Sequence, residues 1–112
     1  MTITDANFTN AITDASNSGN WTHSTYGHIS IWDVSGVTNM TSAFYNKSYF
    51  NEDISGWNMK NVTNTVSMFE GANSFNQYIG DWSMGSVENT SFMFYSATDF
   101  NQDISGWNME KV

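Results

Sequence analysis

Eleven carboxylates, two histidines and three lysines are the charged and titratable side chains of this 112-residue sequence, apart from its tyrosines. General acid–base catalysis needs two carboxylates held in contrasting environments of one pocket. The closest pairs, Glu52 with Asp53 and Asp99 with Asp103, fall in polar loops and read as solvated charges. His23 and His28 lack the third or fourth ligand that zinc requires. There is no Ser-His-Asp pattern, no glycine-rich phosphate loop and no cysteine, so nucleophilic and thiol chemistry have no candidate. The chain reads as non-enzymatic. Two loops, Asn51-Glu52-Asp53 and Asn101-Gln102-Asp103, carry hard oxygen ligands that suit calcium. Tyr78 interrupts the corresponding middle loop, so a ladder of asparagine amides bonded to backbone is the simpler reading, with no cofactor expected and calcium as the alternative.

These residues are set out by a strict period. Trp32, Trp57, Trp82 and Trp107 stand 25 residues apart, as do Ile29, Ile54, Ile79 and Ile104, and Val37, Val62, Val87 and Val112. Phe44, Phe69 and Phe94 keep the step, and so do Phe50, Phe75 and Phe100, each followed by Asn51, Asn76 or Asn101. An unbroken period with apolar fixed positions is the signature of stacked repeats, because one short turn buries too little surface to fold alone. Charge placement agrees: Asp33 is followed at the same step by Asn58, Ser83 and Asn108, and Glu70 lies between Tyr45 and Tyr95. Like charges in one stacked column would repel.

Within one turn, Ile54–Met59 reads as a short strand with Trp57 and Met59 on one face. Val62, Thr65 and Phe69 have the spacing of a short helix, with Thr63 or Asn64 to cap it and Gly71 to end it. The expected fold class is therefore α/β: a solenoid of 25-residue strand–short-helix coils with a parallel sheet along one side. Its turns are 29–53, 54–78 and 79–103, with a partial turn over 104–112. Residues 1–28 lack the repeat, and Phe8, Ala11, Ile12 and Ala15 have helical spacing, so this stretch reads as an N-terminal helical cap with Thr4 or Asp5 as N-cap. No polar element covers 104–112, so either the array is cut from a longer one or that edge docks onto another molecule.

The tryptophans could make a stacking platform for sugars, but they sit among the fixed Ile, Val and Phe as a core column does. Binding is better assigned to columns that vary: Tyr45, Glu70 and Tyr95; Asp33, Asn58, Ser83 and Asn108; and Tyr49, Ser74 and Asp99. A formal charge of −8 without any arginine argues against nucleic acid. No apolar run is long enough to insert in a membrane. The expected partner is a protein or a glycan, or a second copy meeting the C-terminal edge.

The motif Trp32-Asp33-Val34-Ser35-Gly36-Val37-Thr38-Asn39-Met40, then Ala43-Phe44, then Phe50-Asn51-Glu52-Asp53-Ile54, resembles the 25-residue repeat of BspA-like leucine-rich-repeat surface proteins of mycoplasmas and other microbes. Met68-Phe69, Ala72 and Phe75-Asn76 continue the match, as do Met93-Phe94, Ala97 and Phe100–Ile104. Thr65, Thr90 and Tyr78 depart from the pattern, and Met59, Met84 and Met109 replace its more usual valine. The resemblance implies an extracellular or cell-surface interaction module, without catalytic residues.

Overall fold

A computed structural model describes residues 3–112; Met1 and Thr2 of the expected cap lie outside it. The chain begins with helix α1, Phe8–Asn17, which turns Phe8, Ala11, Ile12 and Ala15 into the core. Its N-cap is Asn7, whose side chain makes no capping bond within the helix. Asn7 instead accepts from the Thr4 backbone at 2.8 Å, ordering the lead-in. Two-residue strands follow, β1 (Thr22–His23) and β2 (Gly27–His28), paired antiparallel. A single 3-10 turn, Ile29–Ile31, leads into the periodic part.

From there the structure corrects the sequence-based fold class. Among the described residues no parallel sheet and no helix forms beyond Ile31, so the α/β solenoid of strand–helix coils is overturned. Parallel pairing is confined to single bridges, Thr4 with Gly36, Asn39 with Asn64, and Asn64 with Asn89. The expected helix over Val62–Gly71 is replaced by linked β-turns, with Met68 N–H donating to Thr65 O, Glu70 to Ser67 O and Ala72 to Phe69 O. Left-handed residues punctuate the run: Ser67 (φ 55°) and Gly71 (φ 73°), matched by Ser42 and Asn46 before and by Phe92 and Ser96 after. A positive φ at the third position of a four-residue turn is the type II geometry, incompatible with a continuing helix. The chemical reason is local competition. Asn64 Oδ1 accepts from the Val66 backbone at 2.9 Å, as Asn39 and Asn89 do from Thr41 and Ser91, and such short polar side chains draw the backbone into turns. The expected strand Ile54–Met59 is likewise folded back, with Trp57 N–H on Ile54 O at 3.1 Å.

What joins these turns is contact between residues one period apart. Met40, Ser42, Phe44 and Asn46 donate their backbone N–H to the carbonyls of Asn64, Val66, Met68 and Glu70. Thr65, Ser67, Phe69 and Gly71 do the same to Asn89, Ser91, Met93 and Tyr95. Phe44 stacks on Phe69 at 5.5 Å and Phe69 on Phe94 at 5.6 Å, nearly parallel. A second file runs Phe50, Phe75, Phe100 at 5.6 and 5.9 Å. The indole nitrogens of Trp57, Trp82 and Trp107 donate to the carbonyls of Ile29, Ile54 and Ile79 at 2.8–3.0 Å.

Trp57 carries several of these links at once: it is 3% exposed, stacks on Trp32 at 6.2 Å and meets the edge of Phe8 at 5.9 Å. Trp57→Ala should cost about 3–5 kcal/mol, a large cavity plus the lost indole bond to the Ile29 carbonyl, which keeps only the Trp32 N–H at 3.4 Å. Trp57→Phe, which keeps a ring but removes the donor, should cost less than half as much. Urea unfolding followed by circular dichroism measures both, and near-equal stability of Trp57→Ala and the native chain would refute the central place given to this indole.

Candidate functional site

The core residues read from the period divide in two. Ile29, Ile54, Ile79, Trp32, Trp57, Trp82, Val37, Val62, Val87, Phe44, Phe69, Phe50 and Phe75 are buried. Phe94, Phe100, Ile104 and Trp107 are only partly buried, because among the described residues no further segment packs over them. Phe94, Ile104 and Trp107 border an apolar hollow of about 240 Å³ with Thr90, Met93 and Met109.

The column Asp33, Asn58, Ser83 and Asn108 is exposed throughout, yet its acceptors are largely engaged at home. Asp33 Oδ1 takes the Ser35 backbone at 3.0 Å and the Ser35 hydroxyl at 2.6 Å. Asn58 and Asn108 accept from the backbones of Lys60 and Glu110, both at 3.1 Å. These are Asx turns, which stiffen the chain and leave little free for a ligand. The asparagine loops also act between segments: Asn51 Oδ1 accepts from the Asn76 backbone and Asn76 Oδ1 from that of Asn101, each at 2.9 Å. Glu52 of the first loop instead meets His28 Nε2 at 2.9 Å, and His28 Nδ1 lies 2.8 Å from Ser30 Oγ. Among the described residues no cluster of three or more His, Asp or Glu converges on one point.

The column Tyr45, Glu70, Tyr95 behaves differently. Tyr45 is 43% and Tyr95 60% exposed, and Phe92, 64% exposed, meets Tyr95 edge to face at 5.8 Å. Glu70, half-buried between the two tyrosine positions, is oriented by the Ser67 hydroxyl at 2.7 Å. Phe92 was not singled out by type and spacing, although it stands in the position of Ser42 and Ser67, and that exchange of serine for a bulky ring was visible in the sequence. Lys47 is a second such departure, in the slot of Ala72 and Ala97.

Asp5 fastens the cap to the first segment. Thr38 donates both its hydroxyl, at 2.5 Å, and its backbone N–H, at 2.8 Å, to the carboxylate, and Asn39 N–H adds a bond of 3.2 Å. These bonds, the Thr38 hydroxyl foremost, hold the Asp5 carboxyl below the usual carboxylate range against the opposing effect of burial. Ser35, Ser55 and Ser105 lower Asp33, Asp53 and Asp103 in the same way, side chain first.

With this geometry in place, the chain's kinship is plain. It belongs to the family described as Mycoplasma protein of unknown function, DUF285, whose model matches residues 7–112. No curated protein and no solved structure matches it.

A carboxyl whose folded pKa is depressed stabilises the fold above its unfolded value and loses that contribution as pH falls through the folded value. The melting temperature should therefore be flat from about pH 7 to 5 and decline below about pH 4. Asp5→Ala should lower the plateau and shallow the decline. Thermal melts across that range give the answer, and an unchanged acid limb in Asp5→Ala would remove the cap-fastening role.

Proposed function

We propose that this chain is a non-enzymatic binding module presented outside the cell or on its surface, with the column Tyr45, Glu70, Tyr95, widened by Phe92, as its contact face. The observation that carries the reading is the aromatic exposure just described. The molecule buries eight of its phenylalanine and tryptophan rings, Trp32, Trp57, Trp82, Phe8, Phe44, Phe50, Phe69 and Phe75, yet leaves Tyr45 and Tyr95 in solvent on one file of stacked segments, with Phe92 beside Tyr95. Large rings held on a stiff backbone lose little entropy on binding and supply much contact area. Glu70 between them would add a directional acceptor, so a protein or glycan bearing donor groups fits best. The likeness of the repeat to BspA-like leucine-rich-repeat surface proteins supports the surface setting, and the acidic, arginine-free composition speaks against nucleic acid. No helix among the described residues is long and apolar enough to cross a membrane.

The test is a labelled chain screened on immobilised glycans and extracellular proteins. The double variant Tyr45→Ser, Tyr95→Ser should lose at least about tenfold of whatever signal the native chain gives, as interface anchors do. Asn58→Ser, on the neighbouring column, should lose nothing. Equal losses from both variants would place the contact elsewhere.

A second reading, self-association through the 104–112 edge, is supported by a different observation. The backbone N–H groups of Thr90, Phe92, Phe94 and Ser96 stand where their counterparts at 65, 67, 69 and 71 donate to a neighbouring segment, and among the described residues they have no such acceptor. Beside them lie the partly buried Phe94, Ile104, Trp107 and Met109. A second copy covering this edge would bury the apolar hollow. Sedimentation velocity over a hundredfold concentration range should show a growing dimer that Met109→Lys abolishes, and a strictly monomeric native chain would exclude it.

A further inference from the structure

An open cleft of about 350 Å³ lies where the cap meets the first segment. It is separate from the aromatic column and from the C-terminal edge. Its volume falls at the small end of ligand pockets, the size of one or two sugar rings. Trp21 and Tyr49 supply its aromatic surface, Phe50 its floor, and Ser16, Asn46, Lys47 and Ser48 its polar groups.

Three features mark this cleft. First, its polar side chains are unspent, unlike those of Asn39, Asn51, Asn64, Asn76, Asn89 and Asp33, which bond to nearby backbone. Among the described residues, no side-chain hydrogen bond or ion pair is made by Ser16, Asn46, Lys47, Ser48 or Tyr49. Second, two of its lining residues are peculiar to the first segment. Lys47 occupies the slot of the buried Ala72 and Ala97, and Tyr49, 92% exposed, that of Ser74 and Asp99. Third, whereas Asn46 (φ 56°) shares the left-handed turn of Gly71 and Ser96, Trp21 holds left-handed backbone (φ 60°) outside the repeat. Such a conformation is costly for an indole-bearing residue and is characteristic of binding and catalytic sites. The Asn46 amide is seated over Gly71, itself left-handed, where any Cβ would collide with Asn46 Oδ1. Trp21 is braced edge-on against Phe50 at 4.7 Å and Phe44 at 6.0 Å.

We infer that this cleft is a saccharide-binding site selective for a sugar that carries a carboxylate, with Tyr49 and Trp21 against the ring, Asn46, Ser16 and Ser48 on its hydroxyls, and Lys47 on the acid. A flat ring with apolar C–H faces and a rim of hydroxyls matches aromatic surface edged by uncommitted amide and hydroxyl groups. The acid is specified by charge. The protein carries −8 overall and repels anions in general, yet no Asp or Glu lines this cleft and one of only three lysines does. A charge-assisted bond from Lys47 would give the selectivity, since such bonds are roughly twice as strong as neutral ones.

The experiment titrates the full chain with 3′-sialyllactose, with a glucuronate-bearing disaccharide, and with neutral lactose, read by calorimetry and by amide shifts in two-dimensional nuclear magnetic resonance. At least one acidic sugar should bind about tenfold tighter than lactose, with shifts centred on residues 16–21 and 46–50, and the arm that binds identifies which kind of acid is preferred. Tyr49→Ala, which changes a side chain that is almost wholly exposed, should weaken binding at least about tenfold at unchanged melting temperature. Lys47→Gln should keep lactose binding and erase the preference for the acid. No binding of any of the three sugars at about 10 mM overturns the site. Shifts centred elsewhere overturn it too, and a preference that survives Lys47→Gln overturns the assignment of the acid. The Tyr45→Ser, Tyr95→Ser variant should bind these sugars normally, so failure here and failure of the aromatic column are separately visible.

Discussion

The structure depends on the bond between an indole N–H and the carbonyl of an isoleucine 28 residues earlier. It recurs at Trp57, Trp82 and Trp107, buried or half-buried, and each time it closes one segment over the last. A lone 25-residue stretch of this composition has too few apolar groups to offset its ordering entropy. The indole supplies both a large apolar face and a second donor to a carbonyl that already closes its own turn. Two files of phenylalanine, joined within each segment by near-parallel contacts such as Phe44–Phe50 at 3.9 Å and Phe69–Phe75 at 4.2 Å, complete the core of the periodic part, where among the described residues no sheet or helix forms beyond Ile31.

This economy explains the surface. Where the backbone cannot rely on regular secondary structure, several of its N–H groups are taken up by the Asn or Asp side chain two residues back, as at Asp33, Asn39, Asp53, Asn58, Asn64, Asn89, Asp103 and Asn108. Those side chains are thereby committed to holding the turns. The groups proposed to meet a partner lie elsewhere: the aromatic rings of Tyr45, Phe92 and Tyr95, and the uncommitted groups around Lys47 and Tyr49. Both arise where one segment departs from the common pattern, so stability and recognition are carried by different columns of the same repeat.

The ends of the molecule follow the same constraint. At the first segment, α1 and Asp5 cover the apolar face and take up the Thr38 and Asn39 amides, and the imperfect fit between cap and segment leaves a cleft. At the last segment the amides of Thr90, Phe92, Phe94 and Ser96 and the edge of Trp107 have no such cover among the described residues.

The sequence by itself determined which residues share a column and which face inward, because burial demands apolar side chains and a 25-residue step leaves them in plain register. It also determined the stripe of α1, through Phe8, Ala11, Ile12 and Ala15. The path of the chain between the fixed positions was decided only in three dimensions. Val62, Thr65 and Phe69 have the spacing of a helix, but left-handed Ser67 and Gly71 and the bonds from Thr65, Ser67, Phe69 and Gly71 to the next segment make turns of that stretch. Periodicity reports which side chains are buried and is silent on whether a backbone amide bonds four residues back or to a neighbouring segment. The same silence hid the cleft, since Lys47 and Trp21 are far apart in sequence and only the seating of the cap on the first segment brings them together.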